Sequence, residues 1–164
     1  MFTMKKHLFF FLLSIGIFTS CEKDDFCTQT PVTPNLVIRF YNKDDLTKTK
    51  SVSNLSVIAQ SKTDSLYRNL STDSIAIPLN SAAGETVYTF KMNDADGKQA
   101  TNKIATLTIK YSPNEDYISR SCGFRYIFKD VTFEASSPSW IDRLSTNQVS
   151  EITHQNQAHV QIFH

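Results

Sequence analysis

Thr86-Val87-Tyr88-Thr89-Phe90-Lys91-Met92 and Lys103-Ile104-Ala105-Thr106-Leu107-Thr108-Ile109-Lys110-Tyr111 are separated by Asn93-Asp94-Ala95-Asp96-Gly97-Lys98-Gln99-Ala100-Thr101-Asn102, and these two runs decide the fold. Tyr88, Phe90 and Met92 fall on alternate positions of the first, and Ala105, Leu107, Ile109 and Tyr111 on alternate positions of the second. Successive strand side chains point to opposite faces, so each run presents one apolar face. Asp96-Gly97 supplies the positive φ that a chain reversal needs. The pair predicts a β-hairpin.

The same alternation recurs on both sides of it. Leu36, Ile38 and Phe40 alternate with Val37, Arg39 and Tyr41, before a polar turn at Asn42-Lys43-Asp44-Asp45. From Val52 to Gln60, Leu55, Val57 and Ala59 share one expected face with Ser53, and Ser61-Lys62-Thr63-Asp64 ends the run. Leu66, Tyr67 and Leu70 suggest a short strand, and Ile75, Ile77 and Leu79 another. Pro78 has no amide hydrogen, which places that strand at a sheet edge or ends it. After a reversal expected at Ser112-Pro113-Asn114-Glu115-Asp116, Cys122, Phe124, Tyr126 and Phe128 form an apolar face with Arg125 and Lys129 opposite. The breakers Ser136-Ser137-Pro138-Ser139 precede residues 140–144, read as one helical turn, and Ala158, Val160 and Ile162 mark a last strand. Turn signals every ~8–12 residues and almost no helical period indicate an all-β fold, an antiparallel β-sandwich, immunoglobulin-like, of about seven strands. Four glycines, five prolines and no internal repeat argue against a propeller or β-helix.

The N-terminus carries an address. Lys5, Lys6 and His7 precede the apolar residues 8–18, and Thr19-Ser20 precede Cys21. A basic segment, an apolar segment and small residues are the three parts of a secretory signal, and this run is short for a membrane span, which takes ~20 apolar residues. Phe18-Thr19-Ser20-Cys21 resembles a bacterial lipobox, with Phe18 where leucine is usual. The resemblance implies cleavage before a lipidated Cys21, whose acyl chains anchor the mature protein; the alternative is an ordinary secreted protein. Glu22-Lys23-Asp24-Asp25 resembles the lysine-plus-acidic export tag of surface-exposed Bacteroidota lipoproteins, or is a solvated linker. The organisation expected is a signal peptide over 1–20, a lipidated cysteine and flexible tether over 21–34 and a β-sandwich domain over 35–164.

The chain of 164 residues has 17 basic and 16 acidic side chains, and the signal removes Lys5 and Lys6. The mature chain is nearly neutral, without the basic stripe that nucleic-acid binding needs. Of three cysteines, Cys27 and Cys122 remain after Cys21. In an exported protein two cysteines most simply pair, tying the tether to a late strand; two free thiols are the alternative.

Catalytic and metal signals are thin. Counting Gly97 as the sixth position of a calcium loop puts Met92 and Lys103 at the first and twelfth, where ligands belong, so Asp94-Ala95-Asp96-Gly97 reads as a turn. His154, His159 and His164 recur every five residues, which on a strand sends neighbours to opposite faces, and they read as solvated. There is no Gly-x-Ser-x-Gly elbow, and adjacent Glu115 and Asp116 diverge on an extended chain. No catalytic residue, cofactor or metal is assigned. Trp140, with Tyr111, Tyr117 and Phe163 as companions, reads either as an aromatic platform for a sugar or as a core plug.

Three stretches carry a wider resemblance: residues 33–41 (TPNLVIRFY), 119–124 (SRSCGF) and 158–164 (AHVQIFH). With them the chain resembles a family of Bacteroidota outer-membrane lipoproteins, domain of unknown function 6452. The resemblance implies a location and no activity, and it places Cys27 and Cys122 where that family has cysteines. The leading expectation is a non-enzymatic, surface-exposed outer-membrane lipoprotein, an accessory or binding subunit for another envelope protein. Its partner would add to a sheet edge at 75–79 or, preferably, at 158–163, since Pro78 blunts the first. The alternatives are a carbohydrate-binding module using Trp140, Tyr117 and Tyr111, and a hydrolase with dispersed carboxylates.

Overall fold

Nine strands follow one another along the chain: β1 (Leu36–Tyr41), β2 (Val52–Ala59), β3 (Ser65–Thr72), β4 (Ser74–Ile77), β5 (Glu85–Met92), β6 (Lys103–Ser119), β7 (Gly123–Ala135), β8 (Arg143–Leu144) and β9 (Val160–Phe163). The computed structural model describes residues 27–28, 33–95, 102–145 and 149–164, and no helix occurs among them. The signal segment, Cys21, the Glu22-Lys23-Asp24-Asp25 run and the Asp96-Gly97 reversal lie outside the described residues.

The strands form two open sheets, β4-β1-β9-β8 and β3-β2-β5-β6-β7, as an all-β sandwich requires. The β5–β6 hairpin forms as expected, from Glu85 opposite Lys110 to Met92 opposite Lys103. Its apolar alternation faces the core, where Phe90, Leu107 and Ile109 pack with Leu36, Ile38 and Phe40 of β1, all fully buried. Removal of these faces from water is the main favourable term in folding. One ladder is parallel: β1 runs beside β9, with Ile38 opposite Val160 and Phe40 opposite Ile162.

Several local expectations are corrected. β9 is not an edge, because it lies between β1 and β8. Residues 140–144 make no helical turn; the Asp142 amide donates to the Phe163 carbonyl at 2.9 Å, and Arg143 and Leu144 pair with Phe163 and Ile162. The sheet supplies backbone partners that a single helical turn cannot match. The chain does not reverse at 112–116 either: β6 runs on to Ser119, and residues 120–122 make the turn. Pro113 is tolerated because the β5 ladder ends at Glu85 opposite Lys110, so the side of β6 lacking an amide hydrogen there has no strand to bond.

Two switches of face defeat the simple alternation. Asp130, with φ 52°, and a register shift after Lys110 let Phe128 be buried and then Val131 and Phe133; Phe124, on the same alternation as Phe128, is exposed because it pairs with Tyr117, beyond the end of the β5 ladder. Asn54, with φ 44°, does the same in β2: Val52 is buried, Ser53 exposed and Leu55 and Val57 buried, so Ser53 does not share their face. β4 does end at Ile77, before Pro78, and is a sheet edge. Cys27 and Cys122 are disulfide-bonded, with Cα atoms 4.7 Å apart; Cys122 lies in the β6–β7 turn and not in a strand.

Candidate functional site

At the end of β5 and the start of β6, Met92 and Lys103 form one wall of a pocket of about 410 Å³. Lys43 and Lys50 come from the β1–β2 connection, and Ser139, Trp140 and Asp142 from the segment before β8. Trp140 and His164 bring an aromatic surface to it, their rings edge to face with centroids 5.5 Å apart. Trp140 also lines an adjoining groove of about 410 Å³ with Lys103, Ile104, Pro138 and Ser139.

Trp140 is half-buried, so the platform and plug readings each catch part of its role. Its inner side packs on Phe40, with centroids 6.3 Å apart, and its indole N–H points at the Phe90 carbonyl at 3.4 Å. The other part faces the two grooves. The position is held by Ser139, whose hydroxyl accepts from the Ile141 amide at 3.2 Å and closes a turn around the indole.

The lining is cationic. Lys43, Lys50 and Lys103 are all exposed at its rim, against one carboxylate, Asp142. Lys50 is oriented by donating from Nζ to the His164 carbonyl at 2.9 Å, and the Lys43 amide donates to the same oxygen at 3.3 Å. Burial holds the His164 imidazole below its ordinary value of 6.5, so it is neutral at pH 7 and meets the Lys50 carbonyl at 3.3 Å. A pocket lined by three lysines and an aromatic wall suits an anion that also has an apolar face.

The three aromatics of the expected platform are not brought together. Tyr111 is buried, edge to face with Phe128 at 5.0 Å; its hydroxyl bonds Thr86 and donates to the Asn80 carbonyl. Tyr117 is exposed on the β6–β7 hairpin against Phe124, and Phe163 packs on Tyr41. A platform of Trp140 with Tyr111 and Tyr117 is therefore corrected to Trp140 with lysines. Glu115 and Asp116 do diverge: Glu115 accepts from the Tyr126 hydroxyl at 3.0 Å and Asp116 from Arg125 Nε at 2.8 Å.

The histidines are corrected too. His159 and His164 are buried, and only His154 is exposed. No cluster of three metal-binding side chains occurs among the described residues. A third pocket, about 350 Å³, lies at the other end of β5, lined by Pro78, Asn80, Glu85 and Tyr88. Burial pushes the Tyr88 phenol up to about 12, and its hydroxyl donates to the Pro78 carbonyl, a structural use.

Sequence reasoning missed Lys43, Lys50, Lys103 and His164. They are dispersed over more than a hundred residues, and nothing in their local pattern announces a shared site. No curated protein and no solved structure matches the chain. The match that exists runs over residues 54–164, from β2 to the last strand, and by it the chain belongs to DUF6452, a family of unknown function.

Proposed function

We propose that this protein is a Bacteroidota outer-membrane lipoprotein, anchored through Cys21 and facing the cell exterior, whose domain binds an acidic saccharide without transforming it. The signal segment, the lipobox-like residues 18–21 and the acidic run after Cys21 support the location. The observation that carries the binding reading is that Lys43, Lys50 and Lys103 line one pocket with the half-buried Trp140. A sugar ring offers an apolar C–H face to the indole, and its carboxylate is reached by the ammonium groups. The volume is within the ~300–1,000 Å³ of small-ligand sites.

Titration calorimetry of the purified domain with an oligogalacturonate, using its neutral methyl ester as control, tests this. Binding is expected for the acid alone, weakening as salt screens the exposed lysines. Lys103→Glu, at an exposed position that leaves the core intact, should weaken it about tenfold or more, a change of ~1.4 kcal/mol or above. Equal affinity for acid and ester, or an unaffected Lys103→Glu variant, refutes the reading.

A second reading, an accessory subunit for another envelope protein, is favoured by β3. Among the described residues this strand of eight residues has no neighbour on one side, and it exposes Leu66 and Leu70 on its outward face. It replaces 158–163 as the edge a partner strand would extend. Affinity purification from gently solubilised membranes should then yield a near-equimolar companion that Leu66→Lys with Leu70→Lys removes. Recovery of the protein alone sets this second reading aside.

A further inference from the structure

Beyond the end of the β5 ladder, residues 112–119 of β6 pair, among the described residues, only with β7, and past the bridge from Phe128 to Ile152 at its base this ribbon is a two-stranded arm. Its turn holds Cys122, bonded to Cys27. Tyr117 and Phe124 lie directly opposite one another, with ring centroids 5.3 Å apart. They are 59% and 65% exposed, the two most exposed large apolar side chains among the described residues. We propose that the tip of this arm rests on the lipid bilayer, with Tyr117 and Phe124 at headgroup level. This rests on the reading of the chain as a lipoprotein anchored at Cys21.

The covalent distances argue for the bilayer as the occupant. Cys27 lies six positions beyond Cys21, and an extended chain advances at most ~3.6 Å per residue, so Cys27, whose Cα is 4.7 Å from that of Cys122 in the arm tip, stays within about 22 Å of the lipidated residue. Among the described residues the next attachment along the chain is Thr33, whose hydroxyl oxygen accepts from the Tyr126 amide at 3.1 Å. Thr33 lies twelve positions beyond Cys21, a reach of about 43 Å. The bridge halves the leash and moves its end from Tyr126 to the turn at the tip of the arm, which brings the tip toward the membrane.

The chemistry of the tip fits that surface. A tyrosine has an apolar ring and a wet hydroxyl, the combination enriched at membrane–water boundaries, and Phe124 beside it supplies apolar area. Asp116 is paired with Arg125 and Glu115 takes the Tyr126 hydroxyl, while Arg120 stands exposed in the turn. Its long side chain suits anionic headgroups and can keep its charge in water while its stem lies along the boundary.

The test uses the mature lipidated protein in vesicles of phosphatidylethanolamine and phosphatidylglycerol, with and without brominated phosphatidylcholine as a contact quencher. Phe124→Trp, which keeps an aromatic partner for Tyr117, is compared with Leu66→Trp on β3, the parent signal of Trp140 being subtracted. Mass spectrometry of the same preparation reads the acylation of Cys21. Acylated protein with quenching at position 124 at least about threefold that at position 66 supports the proposal. Acylated protein with equal quenching overturns the arm contact and leaves the anchor standing; the aromatic pair then serves only to brace the arm. Protein without acyl chains overturns the anchor and the arm contact together.

Discussion

His159 joins two distant parts of the chain with one ring. The Val37 amide donates to Nδ1 at 2.9 Å, so that nitrogen carries no proton; Nε2 keeps its hydrogen and meets the His154 carbonyl at 2.8 Å. The neutral tautomer is thereby selected, and a second proton would confront the Val37 N–H. Burial agrees, holding His159 below its ordinary 6.5, as it does His164. Because the unfolded chain binds protons more readily than the folded one, these groups stabilise fully above about pH 6.5 and lose that contribution as pH falls from there through their folded values. Urea midpoints should therefore drop between pH 7.5 and 5, and the drop should be shallower in His159→Leu. At pH 7.5 the same variant should lose about 1–3 kcal/mol, the cost of leaving the Val37 amide without its acceptor. Identical pH slopes in parent and variant would show that the ring does not titrate in this way.

At the level of the element, β6 uses its two faces and its two halves differently. Leu107 is fully buried, whereas Ile104, on the opposite face of the same strand, is 56% exposed. Leu107→Ala should cost about 2–5 kcal/mol, since the cavity cannot collapse between two sheets. Ile104→Ala should stay within about 0.5 kcal/mol. Equilibrium urea unfolding of the two variants distinguishes them, and similar losses would mean that the alternation has been misassigned. Past Tyr111 the strand leaves the five-stranded sheet and becomes the arm. A two-stranded ribbon is marginal alone, so the Tyr117–Phe124 pair and the disulfide have a local bracing role as well.

Across the whole molecule, the bond between Cys27 and Cys122 spans 95 residues and ties the approach to the domain to the far end of the arm. Chain-entropy arguments give about 4–5 kcal/mol for a loop of ~100 residues, an upper figure where the unfolded chain retains structure. Urea unfolding with and without reductant should show a loss of that order, and coincident curves would mean that the bridge serves position alone. The sequence by itself determined the all-β class, the β5–β6 hairpin, the break before Pro78 and the expectation of a Cys27–Cys122 bond, because alternation, a missing amide hydrogen and cysteine number are local or countable properties. Only the tertiary structure decided that β9 is interior, that His159 and His164 are buried, that Tyr111 and Tyr117 stand apart from Trp140, and that three lysines line one pocket with it. Sheet order and the parallel β1–β9 pairing set those neighbours. The turn of face at Asn54 and Asp130 needs a positive φ that asparagine and aspartate tolerate but do not announce. Contacts between residues more than a hundred positions apart are fixed by which faces the sheets bury together, and no local pattern encodes that choice.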